Sequence, residues 1–235
     1  MISRRLVFLL PLFHILGGSA TAQESGTAVR LLFWQIKPGM TRDFEEGYKR
    51  HLDWHRRHHD TWAWHGWMIT SGERYGYFMD ASFQHRWSDF DAPVTPSAED
   101  SADNNLNVAT YADERSAASY DSISGEATRD LLTSPLLTVY HFTIAPGAAT
   151  ELESILSTEL RGVGRHALLR PVNGATEYLL LLPAAKQADY VSQAEIVRRL
   201  LDSARRKTKS SPLIVGYRTE TARYRPDLSN VPDTP

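Results

Sequence analysis

The feature that most constrains the fold of this chain is a motif that occurs twice. The motif reads LFWQIKPGMTRDFEEG over residues 32–47 and YHFTIAPGAATELESI over residues 140–155. When Ile36 is placed on Ile144, the two Pro-Gly pairs coincide, and acidic and apolar residues follow at matching positions. In each copy an alternating apolar strand leads through a Pro-Gly turn into the acidic start of a helix. The chain is therefore predicted to consist of two related halves.

The second half continues with elements that can be assigned in order. Two predicted strands, 166–171 and 177–182, flank the turn sequence Asn173-Gly174. A helix with an apolar stripe follows from Ser192, and residues 212–218 form the last predicted strand. With the strand and helix of the motif, the order is β-α-β-β-α-β, which is the ferredoxin-like arrangement.

The first half begins in the same order and then becomes less regular. Its predicted elements are a strand 29–36, a helix 41–60 and strands 64–70 and 75–82. Residues 89–107 are rich in Asp, Ala, Ser and Pro, so we predict a long loop or lid there. A modest helix near 108–118 and a strand near 122–129 complete the predicted half.

A ferredoxin-like half covers only one face of its sheet with helices, so the other face must be buried elsewhere. Two halves in one chain can bury these faces against each other. The predicted fold class is therefore α+β, with tandem ferredoxin-like repeats that form a pseudo-dimeric α+β barrel. The predicted domains are residues 23–133 and 134–229, and residues 230–235 form a tail.

This layout resembles the dimeric α+β barrel superfamily over about residues 29–229. The superfamily includes NIPSNAP-type proteins, antibiotic-biosynthesis monooxygenases, stress-responsive barrel proteins, chlorite dismutases and haem-degrading oxygenases. The closing segment from Arg223 to Ser229 looks like the ending of uncharacterised exported barrel proteins of this type. The resemblance implies a ligand cleft between helices and sheet in each half. It carries over no catalytic motif, and fold alone does not decide function.

Composition excludes several classes of function. The sequence has no cysteine, which rules out disulfides, thiolate metal sites and cysteine nucleophiles. Without Arg4 and Arg5 of the N-terminal segment, 24 basic residues stand against 28 acidic ones. This weakly acidic balance gives no electrostatic reason to expect nucleic acid as a partner. No Ser-His-Asp signature, phosphate loop or dinucleotide fingerprint is present in the sequence.

The helix of the first half is predicted to carry histidines on its apolar side. With Phe44 as the origin and about 100° per residue, one arc of roughly 120° collects a group of aromatic and apolar residues. Its members are Tyr48, His51, Leu52, His55, His58, His59 and Trp62. The matching helix of the second half carries aliphatic residues on this arc, with Glu159 at the position of His51 and Val163 at that of His55.

Imidazoles one helical turn apart can share a metal ion, bind haem iron singly, or act as acid and base near neutral pH. His51 and His55 are therefore the candidate metal ligands, and haem or a divalent metal is the candidate cofactor. The alternative is that both rings pack on the amphipathic face of the helix and hydrogen-bond to the backbone.

Neighbouring aromatic residues predict the wall of a ligand cleft between this helix and the sheet. The candidate ligand-binding residues are His51, His55, Tyr48, Trp62, Trp67 and His141. His141 alternates with Thr143 on the first strand of the second half, which predicts that it faces into the barrel. The alternative for His141 is a core histidine with satisfied hydrogen bonds.

Two functions from different classes follow from these residues. The first is an exported barrel that binds a small molecule in the first-half cleft, where the tryptophans favour an aromatic ligand. The second is a haem-dependent, metal-dependent or cofactor-free oxidoreductase of the monooxygenase type. The sequence leaves open whether the protein is an enzyme and whether it forms a homo-oligomer.

The N-terminal residues 1–22 have the three parts of a secretory signal peptide. Arg4 and Arg5 precede an apolar run, and the segment ends with Ala20-x-Ala22. The apolar run is shorter than the ~20 residues of a membrane-spanning helix. The mature protein is therefore predicted to be periplasmic or secreted, with no membrane span after cleavage, by either the Sec or the twin-arginine route.

Export leads to a direct prediction. The mature chain should begin at Gln23, because the Ala20-x-Ala22 cleavage pattern follows the short apolar run. N-terminal sequencing of protein from the cell envelope fraction measures this end. Recovery of the intact chain from the cytoplasm would contradict the prediction.

Overall fold

The computed structural model describes residues 26–91, 94–125, 127–206 and 212–232. The predicted signal peptide, residues 1–22, lies outside these ranges. Across the described residues, no helix combines the length and the apolar character that a membrane crossing requires.

Eight strands make up the sheet of the described chain. They are β1 (Ala28–Ile36), β2 (His65–Ser71), β3 (Phe78–His85), β4 (Ala112–Gly125), β5 (Leu136–Ile144), β6 (Ala167–Pro171), β7 (Glu177–Ala184) and β8 (Ile214–Tyr224). They close into a barrel in the order β1-β3-β2-β8-β5-β7-β6-β4. All neighbouring pairs are antiparallel. The prediction of a mixed α+β fold is confirmed.

The strand order is the same in the two halves of the chain. The first four strands lie in the order β4-β1-β3-β2 and the last four in the order β8-β5-β7-β6. The two sets meet at the β2–β8 and β4–β6 pairs. The helices are α1 (Thr41–Arg57), α2 (Ser97–Asn104), α3 (Arg129–Leu132), α4 (Ala149–Glu159) and α5 (Asp189–Arg206).

Alternation along the strands separates an inner core from two outer ones. On β1, Leu31 and Phe33 point into the barrel, whereas Leu32 and Trp34 point outwards to the layer that contains α1. The outer layer of the second half packs α4 and α5 on the sheet through aliphatic side chains. The short helix α3 contributes Leu131 to the inner core.

The repeated motif forms equivalent local structure in both halves. Ile36 and Ile144 are the last residues of β1 and β5. Each Pro-Gly turn places its glycine at positive φ, 78° for Gly39 and 79° for Gly147. Glycine adopts this left-handed region without the steric penalty of a Cβ, which explains the residue at both turns.

The end of the first half differs from its prediction. Residues 89–107, predicted to be a loop, contain α2, which continues into one π-helical turn at Asn105–Ala109. Residues 112–118 of the predicted helix and residues 122–125 of the predicted strand instead belong to the single strand β4. Pairing with β1 and β6 on its two sides outweighs the helix propensity of Ala, Glu and Arg in this segment.

The two matched helices also differ in length. α1 ends at Arg57 and α4 ends at Glu159, so Val163 lies beyond the end of its helix. The expected equivalence of His55 and Val163 is therefore wrong, because only His55 occupies a buried helical position.

Inside the barrel, buried charges form one network around His141. Arg74 lies over the Phe33 ring at 3.5 Å and donates from Nε to Glu220 Oε1 at 3.0 Å. His141 lies between two carboxylates, with Nδ1 3.0 Å from Glu177 Oε1 and Nε2 3.3 Å from Glu220 Oε2. Burial alone would raise the pKa of Glu220, but His141 and Arg74 outweigh burial and lower it to about 2.

Glu220→Gln should lower the free energy of unfolding by about 3–5 kcal/mol at pH 7, because it leaves Arg74 without its buried carboxylate partner. The depressed pKa means that ionised Glu220 stabilises the fold above about pH 4.5 and that this contribution is lost as the pH falls towards 2. Urea unfolding at pH 7 and pH 3 measures the difference. The exposed Glu73→Gln is the control and should change stability by less than about 0.5 kcal/mol. A pH-independent loss for Glu220→Gln would contradict the assignment.

Candidate functional site

Four histidines were predicted on one face of the first helix, and the structure places two of them towards the sheet and two away from it. His51 and His55 are buried, with 7% and 3% of their surface exposed. His58 follows the helix, where its ring stacks on Trp54 and its Nδ1 lies 2.9 Å from the Trp54 carbonyl oxygen. His59 is exposed and has a φ of 54°. The predicted histidine face is therefore a single pair one turn apart.

The two buried imidazoles and one carboxylate converge on one point. The Nε2 atoms of His51 and His55 lie 3.2 Å apart. Asp100 Oδ1 lies 3.7 Å from His51 Nε2 and 3.6 Å from His55 Nε2. This oxygen is buried and has no hydrogen-bond partner within the described ranges. The arrangement is that of three ligand atoms around a common centre.

The other ring nitrogen of each imidazole, Nδ1, contacts a further carboxylate. His51 Nδ1 lies 2.9 Å from Asp103 Oδ1, and His55 Nδ1 lies 2.9 Å from Asp60 Oδ2, although the latter contact is poorly aligned for a hydrogen bond. These contacts favour a proton on each Nδ1, which leaves both Nε2 lone pairs free for the common centre. Burial lowers the pKa of His51, and Asp103 opposes this only in part. Neutral imidazole is the form that binds metals.

Asp60 is itself fixed by two tryptophans. Its Oδ1 accepts a hydrogen bond from the Trp62 backbone N–H at 3.0 Å, and its Oδ2 accepts one from Trp64 Nε1 at 2.8 Å. Burial alone would raise the pKa of Asp60, but the contacts with His55, Trp62 and Trp64 outweigh burial and lower it. Asp60 is therefore an ionised partner for the His55 ring at neutral pH.

The helix α2 brings Asp100 and Asp103 to the histidines but has no apolar anchor of its own, because none of its side chains is buried. The π-helical turn that follows is held against α1, where Asn107 Oδ1 accepts from Arg50 Nε at 2.8 Å. Gly47 permits this close approach, since a Cβ there would lie 1.9 Å from the Asn107 carbonyl oxygen. The acidic side of the site is thus held by polar contacts and, through the π-helical turn, by Val108, which is fully buried in the outer core with α1.

A cavity of about 370 Å³ adjoins His51, His55 and Asp100. Residues of β1, β3, β4 and α1 form the rest of its wall, among them Arg30, Leu32, Trp34, Tyr48, Asp80 and Glu114. The cavity combines aromatic surfaces with charged groups of both signs, which is the composition of a site that orients a small polar molecule.

Asp80 is the buried acid of this cavity. Its Oδ2 accepts hydrogen bonds from Tyr48 Oη at 3.0 Å and from Trp34 Nε1 at 3.1 Å, while its buried Oδ1 has no partner among the described residues. Burial raises the pKa of Asp80 to about 6, and the two hydrogen bonds oppose this rise. Burial and the neighbouring Asp80 raise the pKa of Tyr48 well above its usual value.

The structure separates the predicted ligand-binding residues into three places. Tyr48 lines the cavity together with His51 and His55. Trp62 lies beyond the end of α1, stacks on His85 at 3.8 Å, and lines a different cavity of about 1140 Å³. The expectation that Trp62 shares the cleft of the histidine pair is therefore wrong.

Trp67 and His141 lie on the other side of the sheet. Trp67 is fully buried in the inner core, and His141 shares the inward face of β5 with Leu137 and Val139. The prediction that His141 faces into the barrel is confirmed, but neither residue reaches the cleft, because the sheet separates the inner core from α1. The charged network around His141 also agrees with its alternative reading as a satisfied core histidine.

Sequence reasoning missed four carboxylates of this site. Asp100 and Asp103 are three residues apart, so they share one face of α2, but they lie in a segment rich in Asp and Ser where no apolar periodicity marks a helix. Asp80 stands among Phe78, Met79 and Ala81 at the start of β3, and a charge within that apolar run was the available signal. Asp60 is distinguished only by its contacts.

Comparisons with known proteins show the fold. No protein family and no curated protein matches the sequence. A putative monooxygenase of Fusobacterium nucleatum aligns with TM-score 0.60 and 8% identity over 86% of this chain and 94% of its own. A chlorite dismutase of Candidatus Nitrospira defluvii, a mutant in complex with cyanide, gives TM-score 0.58 and 9% identity over 88% and 93%. A haem-binding protein of Thermus thermophilus gives 0.52 and 11% over 86% and 92%. The chain therefore shares the overall fold of these proteins, an α+β barrel of eight antiparallel strands with helices outside.

Proposed function

We propose that this protein binds one divalent first-row metal ion through His51 Nε2, His55 Nε2 and Asp100 Oδ1, and that the ion holds a small molecule in the adjoining cavity. The observation that carries the proposal is the convergence of these three atoms within 3.2–3.7 Å of one another. Two imidazoles and one carboxylate are a ligand set of catalytic zinc sites and of non-haem iron oxygenases.

The distances suit a metal ion of this kind. Ligands at 2.0–2.2 Å from a tetrahedral zinc ion lie about 3.3–3.6 Å from one another. The three atoms need to move by only a few tenths of an ångström to meet that geometry. Three protein ligands on one side of the ion leave further positions open towards the cavity, which is the arrangement of catalytic rather than structural sites.

The surroundings of the ligands support the same conclusion. Metal-binding histidines donate their second ring N–H to a carboxylate or carbonyl, which fixes the tautomer and the ring orientation. Asp103 and Asp60 occupy that position behind His51 and His55. An unpartnered buried oxygen on Asp100 also costs free energy, and a bound cation would remove that penalty.

Haem, the cofactor named for one of the similar structures, fits neither the histidine pair of α1 nor the second half of the chain. In the first half the two Nε2 atoms face each other and Asp100, so they do not flank a flat apolar slot. In the second half, His141 is held inside the barrel, and His166 contacts Gly164 and Ser124 through its two ring nitrogens. The space between α4, α5 and the sheet is filled by packed aliphatic side chains.

The identity of the bound metal ion would determine which class of reaction the site supports. With zinc, the site would polarise a carbonyl or activate water. With iron(II), the same three ligands would support oxygen chemistry, and the putative monooxygenase among the similar structures favours this second candidate. Metal analysis of protein purified from its native compartment separates the two.

We also infer that the halves are tandem ferredoxin-like repeats and that the protein is exported. The matching strand orders and Pro-Gly turns support the first inference, and the sequence of residues 1–22 supports the second. The metal centre then lies in one repeat only, since the other outer layer is aliphatic.

Zinc titration of single variants tests the ligand set. His51→Gln should weaken zinc binding at least about 100-fold, because it removes one of three ligands. Asp103→Asn should weaken it about 10–100-fold, the range for a partner that orients a ligand. His58→Gln is the matched control on the same segment and should bind zinc like the unchanged protein. Calorimetry gives the affinities and stoichiometry. Equal losses in His51→Gln and His58→Gln would refute the assignment.

Zinc should also protect α2 from hydrogen exchange. α2 buries no side chain and contacts α1 through Asp103 and His51, so a bond from the metal to Asp100 would add a second attachment to α1. Exchange of residues 97–104 should slow when zinc is added, while exchange of α5 stays unchanged. Asp100→Asn should abolish the protection. Protection that persists in this variant would show that zinc binds elsewhere.

A further inference from the structure

We infer that Asp80 is the proton-accepting group of this site, and that its ligands are weakly acidic molecules which bind the metal ion as anions after Asp80 has taken their proton. This inference rests on the proposed metal centre and goes beyond it, because it names the class of ligand and the group that performs the acid–base chemistry. It is argued from the position of Asp80, its contacts and the other charges in the cavity.

The protein holds the carboxyl group of Asp80 through only one of its two oxygens. Tyr48 and Trp34 both donate to Oδ2, at 3.0 Å and 3.1 Å, so this atom and the orientation of the carboxyl group are set by the protein. Oδ1 remains, buried and without a hydrogen-bond partner among the described residues. A buried acceptor without a donor costs roughly 1–3 kcal/mol, and a ligand hydroxyl or a proton would remove that penalty.

Other groups of the cavity are already engaged or unsuited to the role. His51, His55 and Asp100 supply the atoms that converge on the metal position. The phenol of Tyr48 already donates to Asp80. This leaves Asp80 as the buried group of the cavity that is able to exchange a proton with a ligand.

The charges that face Asp80 come from three neighbouring elements. Arg30 on β1 favours the ionised form, Glu114 on β4 opposes it, and Tyr48 on α1 donates a hydrogen bond to it. Burial outweighs these contacts and raises the pKa of Asp80 to about 6. The group is therefore ionised at pH 7.5, ready to accept a proton, and mostly protonated at pH 5.5.

The step balances in atoms and charge. The O–H bond of the ligand breaks, its proton forms a bond with Asp80 Oδ1, and the electron pair stays on the ligand oxygen, which coordinates the metal ion. No oxidant or reductant takes part. Neutral Asp80 then donates a hydrogen bond to the anion, so the buried site keeps the same net charge before and after binding.

Acetohydroxamate is a suitable probe, because it is a weak oxygen acid that binds metals as its anion. The experiment is calorimetric titration of the zinc-loaded protein at pH 7.5 in two buffers of different ionisation enthalpy, which gives the number of protons released. The unchanged protein should release close to none. Asp80→Asn, which keeps the size of the side chain, should release about one proton per ligand, because metal-bound ligands must be deprotonated. Asp113→Asn, on the exposed start of β4, is the control and should behave like the unchanged protein.

A second measurement avoids reliance on the variant. At pH 5.5, with zinc in excess, Asp80 in the unchanged protein already holds its proton, so most of the ligand proton should appear in the buffer. Release of about one proton by the unchanged protein at both pH values would overturn the inference, and so would zinc-loaded protein that does not bind acetohydroxamate. Failure to bind zinc at all would instead refute the metal centre, and the zinc titration detects that outcome separately.

Discussion

The structure depends on burial of the inward faces of its sheet. Each set of four strands carries helices on one face only, and the other face is largely apolar, with Leu31 and Phe33 on β1 and Leu137 and Val139 on β5. Closing the eight strands into a barrel buries both faces at once and leaves no free sheet edge. The helices must then lie outside, so each half has a second, outer core between helix and sheet.

The outer cores are where the two halves diverge. In the second half Leu152, Ile155 and Leu156 of α4 pack on the sheet with apolar residues of α5, and the layer is closed. Among the described residues of the first half, the long helix α5 has no counterpart of similar length or apolar character. The short, acidic α2 stands in its place, and its carboxylates contact the histidines of α1 instead of packing on the sheet as aliphatic side chains do. A cavity bordered by polar groups results because the barrel does not depend on this layer for its closure.

Most polar groups of this layer have a hydrogen-bond or ion-pair partner within the layer, and these partners allow them to be buried. His55 faces Asp60, and Asp60 receives hydrogen bonds from the backbone of Trp62 and the ring of Trp64. Only one oxygen of Asp80 accepts hydrogen bonds from the described residues, and Asp100 contacts the histidines without a hydrogen bond. The two incompletely satisfied carboxylates lie beside the same cavity. Such unsatisfied groups are expensive in a core and typical of sites that bind a further partner.

The amino-acid sequence by itself determined the barrel and half of the site. The alternating strands, the Pro-Gly turns and the amphipathic arc of α1 are local patterns, and His51 and His55 could be picked out because they share one face of one helix. Asp100, Asp60 and Asp80 could not, since they belong to α2, to a loop and to β3, and distance along the chain says nothing of contact. The strand β4 was likewise misread, because its helix-forming residues pair with β1 and β6 only in the closed barrel. Periodicity reports which side of an element is buried, whereas the tertiary structure alone decides which buried sides meet, because contacts between distant segments are set by packing of the whole chain.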